Sequence, residues 1–325
     1  MKRYLCLVYL FLLALFLGLP GERALPSFTV ALAGDVMLGR GVAQALDGDW
    51  GAAFDDVRPW LAGADLAFAN LESPLTDAPF SPLSPAWGRT EDGRYDLRAP
   101  PDAVAALQAA GFDAVSVANN HALDAGRAGL AQTLDVLEAA GLVGVVDWET
   151  GKWVDWGIGR LVDGGASPVY QSTNLPTYRI LAFDDSAGLM DVEGAVRAVA
   201  VAAEQADPVV VSIHWGGEYQ AAPSPRQRAV AARLADAGAD VVAGHGPHVL
   251  QPVEWVGQTL VAYSLGNFLF DQHYPVDCGW GAILRLTLRG GRVVAVDPIP
   301  TVSYWGRVKL AGPEDASAIL ARLNL

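Results

Sequence analysis

Two histidines, His245 and His248, stand three residues apart in Gly-His-Gly-Pro-His-Val-Leu-Gln-Pro (244–252). Gly246 and Pro247 between them argue against a helix. The short apolar run Val241 to Ala243 precedes them and reads as a buried strand. The pair therefore sits in a loop at a strand end, where two imidazoles can converge on one point. Neutral imidazole suits a borderline divalent metal. Four further side chains, Asp35, Glu72, Asn120 and His214, also follow predicted strands within a few residues. Two acids, an amide and three histidines can hold two divalent ions about 4 Å apart with a bridging carboxylate. Such a pair lowers the pKa of a bridging water and clamps a phosphoryl or similar oxyanion.

Each of these residues also admits a structural reading. Asp35 after Gly34 could cap the next helix. Glu72 could be a solvated loop acid, Asn120 could satisfy backbone groups in a turn, and His121 could be a hydrogen-bonded core histidine. His214 ends a strongly apolar strand and leads into Trp-Gly-Gly-Glu-Tyr. His273, in Asp-Gln-His-Tyr, has no convergent partner and reads as surface or rim.

The elements that must position these groups alternate between strand-like and helix-like stretches. Phe28 to Ala33 reads as a strand ending at Gly34-Asp35, and Leu66 to Ala69 as a strand ending at Asn70-Leu71-Glu72. Residues 73–100 carry Pro74, Pro79 and Pro82 and read as a long loop. Pro101 starts a helix that Gly111 stops, a placement that suits both residues. Ala114 to Ala118 is a strand followed by Asn119-Asn120-His121, and Gly129 to Ala140 is a helix. The pattern then returns: helix 192–206, strand 208–213 ending at His214, helix 225–237, the histidine loop, and a strand from Thr259 to Ser264 before Gly266-Asn267. Residues 282–288 and 293–296 flank Arg289-Gly290-Gly291-Arg292 as a hairpin, and 313–324 read as a final helix. Such alternation indicates a layered α/β domain with much parallel sheet. In open α/β sheets ligands gather at the carboxyl ends of the strands, which is where all six candidates fall. The stretch 147–177, with Trp148, Trp153 and Trp156 among glycines and acids, shows no helix or strand periodicity. It reads as a surface excursion or as a substrate-facing lid.

The net charge of the 325-residue chain is −14, and only three of its 22 basic residues are lysines, Lys2, Lys152 and Lys309. An acidic chain without a basic run does not fit nucleic-acid binding. Residues 1–26 stand apart from the domain at 27–325. Lys2 and Arg3 precede an apolar run from Tyr4 to Leu19, closed by Pro20 and Gly21. This is the layout of a secretory signal peptide or signal anchor, shorter than a full membrane span of roughly 20 residues. Glu22 weakens a cleavage site after Ala24, which leaves both forms open. The chain is thus expected to be exported, either secreted or held at the extracytoplasmic face of the cell membrane. If the segment is removed, Cys278 is the only cysteine remaining and an intramolecular disulfide is excluded.

Six motifs occur in order over residues 28–272. They are Gly-Asp-Val-Met-Leu-Gly-Arg (34–40), Asn-Leu-Glu-Ser-Pro-Leu-Thr (70–76), Asn-Asn-His-Ala-Leu-Asp-Ala-Gly (119–126), His-Trp-Gly-Gly-Glu-Tyr (214–219), Gly-His-Gly-Pro-His-Val-Leu-Gln-Pro (244–252) and Tyr-Ser-Leu-Gly-Asn-Phe-Leu-Phe-Asp-Gln (263–272). Together they resemble the CapA family of poly-γ-glutamate capsule biosynthesis proteins, which is similar to the calcineurin-like metallophosphoesterases. The resemblance implies a four-layer α/β/β/α sandwich. It implies metal ligands at Asp35, Glu72, Asn120, His214, His245 and His248, with Glu72 as the bridging carboxylate. It makes His121 an acid or oxyanion stabiliser oriented by Asp124. One or two divalent ions, Mn²⁺, Zn²⁺ or Fe²⁺, are the implied cofactors. The implied function is metal-dependent hydrolysis or transfer at an oxyanion centre, in making, exporting or attaching an anionic polymer such as poly-γ-glutamate. The implied partners are that polymer or a small phosphoester-like substrate, and membrane-bound polymer synthase components. A rival reading from another class is a membrane-tethered accessory subunit that binds polymer without catalysis. Two departures stand out. Met37 occupies the place of a ligand histidine in phosphoesterases of the Asp-x-His type, and residues 147–177 do not match the family pattern.

Overall fold

The computed structural model describes residues 27–81, 95–146, 152–155, 160–163, 169–170, 178–188, 190–206 and 208–325. The expected signal segment, Trp148 and Trp156 lie outside the described residues. Two sheets carry the architecture. The first is built on β1 (Ser27–Val36), with β2 (Leu66–Leu71), β3 (Ala114–Ser116) and β4 (Val143–Val145) following in parallel on one side. On the other side β14 (Trp280–Arg289), β15 (Arg292–Tyr304) and β16 (Arg307–Leu310) run antiparallel. The second sheet runs β11 (Leu250–Val256), β12 (Thr259–Leu265), β10 (Val241–His245), β9 (Val209–His214), β8 (Tyr178–Asp184), β7 (Val169–Tyr170), with β12, β10, β9 and β8 parallel.

Alternation along the strands dictates how these sheets pack. In β1, Phe28, Val30 and Leu32 join Leu66 and Phe68 of β2 in a core shared with Ile180, Val210, Val241, Leu260 and Ala262 of the second sheet. The intervening residues face helices instead. Ala31, Ala33, Ala67 and Ala69 lie in a core with Leu46 of α1 (Arg40–Leu46), Leu61 of α2 (Arg58–Leu61), Leu107 of α3 (Val104–Ala110) and Leu137 of α4 (Gly126–Ala139). On the far side, Leu181, Phe183, Val211, Val242 and Val261 pack with Val199 of α5 (Val192–Ala203) and Leu234 of α6 (Pro225–Asp236). The result is the four-layer α/β/β/α sandwich. Each large apolar side chain so buried contributes about 1.5–3 kcal/mol. The last helix, α7 (Pro313–Leu323), inserts Ile319 and Leu323 into the inter-sheet core and closes its edge.

Local signals account for most boundaries. Ser224 and Gln227 form a reciprocal capping box that starts α6 at Pro225. Gly111, at φ 85°, ends α3 in the left-handed conformation that glycine tolerates best. Several expectations are corrected. The helix expected from Pro101 opens as a 3₁₀ turn, Pro101–Ala103, a common form of a helix's first turn, and becomes α-helical at Val104. The helix expected from Gly129 begins at Gly126, directly out of the preceding loop. Residues 147–177 do contain strands: β5 (Lys152–Asp155) and β6 (Arg160–Asp163) pair antiparallel, and β7 pairs with β8. Short strands without a long alternating run carry too little local signal to be read from sequence.

Candidate metal centre

Every candidate ligand lies at the same end of the sandwich, where strands of both sheets terminate. A register shift in β1 between Leu32 and Asp35 places Asp35 opposite Asn70 of β2. The chain leaving β12 crosses between the sheets and adds β13 (Asn267–Leu269) to β1, with Asn267 opposite Asp35. This crossing needs close backbone approach. A Cβ on Gly34 would lie 2.1 Å from the Gly266 carbonyl oxygen, and one on Gly244 would lie 2.1 Å from that of Tyr263. In the second sheet, His245 of β10 pairs with His214 of β9, which pairs with Asp184 of β8. His248 follows Gly246 and Pro247 and itself adopts a left-handed backbone, φ 58°. Such strain in a non-glycine residue persists where the surroundings over-determine it.

These side chains converge. Asp35 Oδ1 lies 3.3 Å from Nδ1 of His245, and Oδ2 lies 3.4 Å from Nδ1 of His248. Glu72 Oε1 lies 3.5 Å from Nε2 of His214 and 3.9 Å from Nε2 of His248. Asp35, Glu72 and His214 each offer a ligand atom within 4.8 Å of the others. Asp35 and Glu72 have no exposure, and His214, His245 and His248 are buried. The structural readings of the acids fall away: helix α1 is preceded by Gly39 without a side-chain cap, and Glu72 is not solvated. The turn role expected of Asn120 belongs to its neighbour, since Asn119 Oδ1 accepts from the His121 amide at 3.1 Å.

The polar atoms here are buried without hydrogen-bond partners: both oxygens of Glu72, Oδ1 of Asn120, and both ring nitrogens of His214 and His245. His245 Nδ1 approaches Asp35 but is not aligned to bond with it. Leaving a buried polar atom unpaired costs about 1–3 kcal/mol, so the orphaned oxygens of Glu72 and ring nitrogens of His214 and His245 require explanation. A carboxylate, an amide oxygen and imidazoles are the donor set of a divalent metal, and the residues fit that group.

The electrostatics agree. Burial pushes the Asp35 carboxyl upward, but adjacent His245 and His248 outweigh it and hold Asp35 below the ordinary carboxylate range. For Glu72 burial again opposes ionisation, and Asp35 adds to it, while His248 and His214 pull the net shift downward. Burial disfavours charge on His214, yet Glu72 raises its pKa. On His248 burial is likewise outweighed, by Glu72 and Asp35, and the pKa rises to about 9. The cluster holds two ionised carboxylates and draws positive charge to itself.

His121 stands beside this cluster. Its Nδ1 lies 2.9 Å from Oδ2 of fully buried Asp124, which also accepts from the Leu97 amide at 3.4 Å. Asn119 donates to Asn70 Oδ1 at 3.0 Å and to the Leu71 carbonyl at 2.9 Å, and Asn70 donates to Asp35 Oδ1 at 2.9 Å. Asn70, Asn119 and Asn267 are amides whose residue type alone does not mark them as functional, although each lies inside one of the six motifs. Asp184, 3.9 Å from Nδ1 of His214, carried no signal of its own. The Met37 side chain is buried in the helix-side core, with its sulfur accepting from the Gly39 amide at 3.0 Å. His273 is exposed, with its ring 6.5 Å from that of Tyr304, and takes no part.

Residues 29–149 and 165–272 match the sequence pattern described as bacterial capsule synthesis protein PGA_cap. The chain belongs to the PGA_cap family. The break in the match at 150–164 falls within the stretch that departs from the family pattern. Among similar PGA_cap relatives, the capsule biosynthesis protein CapA of Bacillus anthracis is 32% identical over 303 residues, covering 86% of this chain and 68% of that protein. The PGA biosynthesis protein CapA of Bacillus subtilis is 32% identical over 258 residues, covering 75% of this chain. This chain spans only 63% of that relative's length. A probable polyglutamine synthesis accessory protein of Mycobacterium tuberculosis is 32% identical over 288 residues, covering 75% and 74%. Two solved structures share the fold. A phosphatase of Mycoplasma pneumoniae has TM-score 0.55 at 11% identity, covering 90% of this chain and 97% of its own. A hypothetical protein of Thermus thermophilus has TM-score 0.52 at 19% identity, covering 84% and 98%.

Proposed function

We propose that this PGA_cap protein is a metal-dependent hydrolase or transferase acting at a phosphoester-like oxyanion centre during synthesis, export or attachment of an anionic capsule polymer. The observation that carries the reading is the set of unpartnered, buried ligand atoms on Glu72, Asn120, His214 and His245, beside the His121–Asp124 pair. Asp35, Glu72, Asn120, His214, His245 and His248 would hold one or two divalent ions. When bound, these would supply Lewis-acid stabilisation of charge on the reacting oxyanion. The rest is the work of the chain's own residues. Asp124 fixes the His121 ring by accepting at Nδ1, so the outer nitrogen Nε2 handles the proton of the leaving oxygen. General acid catalysis of this kind contributes about 10²–10⁴-fold. The Asn119–Asn70–Asp35 chain of hydrogen bonds ties the His121 loop to the acidic end of the cluster.

A second reading has its own support. The Mycobacterium tuberculosis relative bears the name of an accessory protein, which suits a membrane-tethered subunit that binds polymer without turnover. Export rests on Lys2, Arg3 and the apolar run after them; among the described residues no helix is long and apolar enough to cross a membrane. Elemental analysis of the purified chain, paired with a phosphoesterase screen, tests the main reading. Bound metal with turnover that His121→Ala abolishes supports it. Polymer binding with neither metal nor turnover supports the accessory subunit instead.

A further inference from the structure

The sixth sequence motif contains a side chain that the chemistry above does not use. Asn267 is fully buried on β13, opposite Asp35. Its amide nitrogen donates to the Cys278 carbonyl at 3.1 Å and to Oε1 of Gln272 at 3.3 Å. A backbone carbonyl only accepts, so the atom facing it must be nitrogen, and the amide orientation is fixed. Oδ1 is then the atom that faces Nδ1 of His248 at 3.0 Å. The other neighbour of that ring nitrogen is Asp35 Oδ2, at 3.4 Å, which also only accepts when ionised. Nδ1 of His248 must therefore carry a hydrogen. A ring that takes a metal gives up one proton, and with Nδ1 held as a donor the nitrogen that is freed is Nε2, the atom turned toward Glu72 at 3.9 Å. The ring nitrogens of His214 and His245, by contrast, have no hydrogen-bond partner.

We propose that Asn267 is a positioning residue that locks His248 in the Nδ1–H tautomer and so presents Nε2 to a divalent cation shared with Glu72. This rests on the metal-centre reading. Asn267 is not itself a ligand, because its oxygen and both amide hydrogens are already engaged. Partners that orient a ligating histidine are typically worth about 10–100-fold in metal affinity.

The test uses the full chain loaded with Zn²⁺. Long-range proton–nitrogen correlation spectra are expected to show His248 protonated at Nδ1 and metal-bound at Nε2. Asn267→Leu should lower zinc affinity about 10–100-fold, while Asn267→Asp, which keeps an acceptor, should restore most of it. If the leucine variant does not fold, the ring pattern of the unaltered protein decides. Zinc bound at Nδ1 of His248, or unchanged affinity in a folded leucine variant, overturns the inference while leaving the metal centre intact. No zinc bound by the unaltered chain overturns the metal centre, and this inference with it.

Discussion

The Nδ1 atom of His121 lies 2.9 Å from Oδ2 of Asp124, a carboxylate with no exposure, three residues further along the same loop. The pairing orients a ring that is itself not joined to the ligand atoms. His121→Ala should therefore leave metal content nearly unchanged and lower turnover about 10²–10⁴-fold. Asp124→Asn should lower turnover in the same direction. Elemental analysis alongside single-turnover kinetics checks both. Loss of metal from His121→Ala would move His121 into the ligand set and displace Asn120 from it.

The donors are unevenly divided. In the proposed reading Glu72, Asn120, His214 and His245 would hold one ion with two oxygens and two nitrogens, whereas Asp35, Glu72 and His248 would hold the other, with the Met37 sulfur taken up by the Gly39 amide. One equivalent of metal is expected to survive dialysis, and a second to bind only with excess metal. His214→Ala should remove the tightly held ion. Two equivalents retained by the unaltered chain would contradict the scheme.

Spacing alone suggests that a histidine at position 37 would complete the weaker position. In the structure the Met37 side chain packs in the helix-side core, with its sulfur on the Gly39 amide. Met37→His should bury an imidazole without a metal, leave the second equivalent as weak as before, and lower stability by about 1–3 kcal/mol. Denaturant unfolding and metal titration measure the two effects separately.

Gly244 and Gly34 permit the backbone contacts that bring the strand ends together. A methyl group at either would overlap a carbonyl oxygen 2.1 Å away. Gly244→Ala should cost about 1–3 kcal/mol, the usual penalty for overpacking a closed site, and weaken metal binding. Unaltered stability in a urea melt would show that the strands yield there.

Cys278 is fully buried, and burial pushes its thiol up to about 12. The reactive thiolate is thus nearly absent at pH 8. Peptide mapping after iodoacetamide treatment of native protein at that pH should find Cys278 unmodified, with labelling on unfolding. For location, Val201→Cys on an exposed site of α5 should react with a membrane-impermeant reagent in intact cells once any outer barrier is opened. Labelling only after lysis of the inner membrane would contradict export.

The local grammar of the site is legible in the chain itself. An apolar run that ends abruptly in a polar or imidazole residue marks a strand end, and for β1, β9 and β10 both the run and its last residue are contiguous in the chain. Such information survives without any knowledge of neighbours, as does the alternation that sends Phe28 and Val30 to one side of β1 and Ala31 to the other. The order and sense of the strands were another matter. β4 and β13 are held by pairing with residues distant in the chain, and three residues of backbone in isolation have no preference strong enough to announce them. Tertiary structure alone decided that β13 returns to β1, and hence that Asn267 reaches His248. It alone packed Met37 into the helix-side core with its sulfur on the Gly39 amide. It also decided that Asn70 and Asn119 bridge Asp35 to the His121 loop. Hydrogen bonds between side chains on different strands depend on register, and register is set by the packing of whole sheets rather than by any one segment.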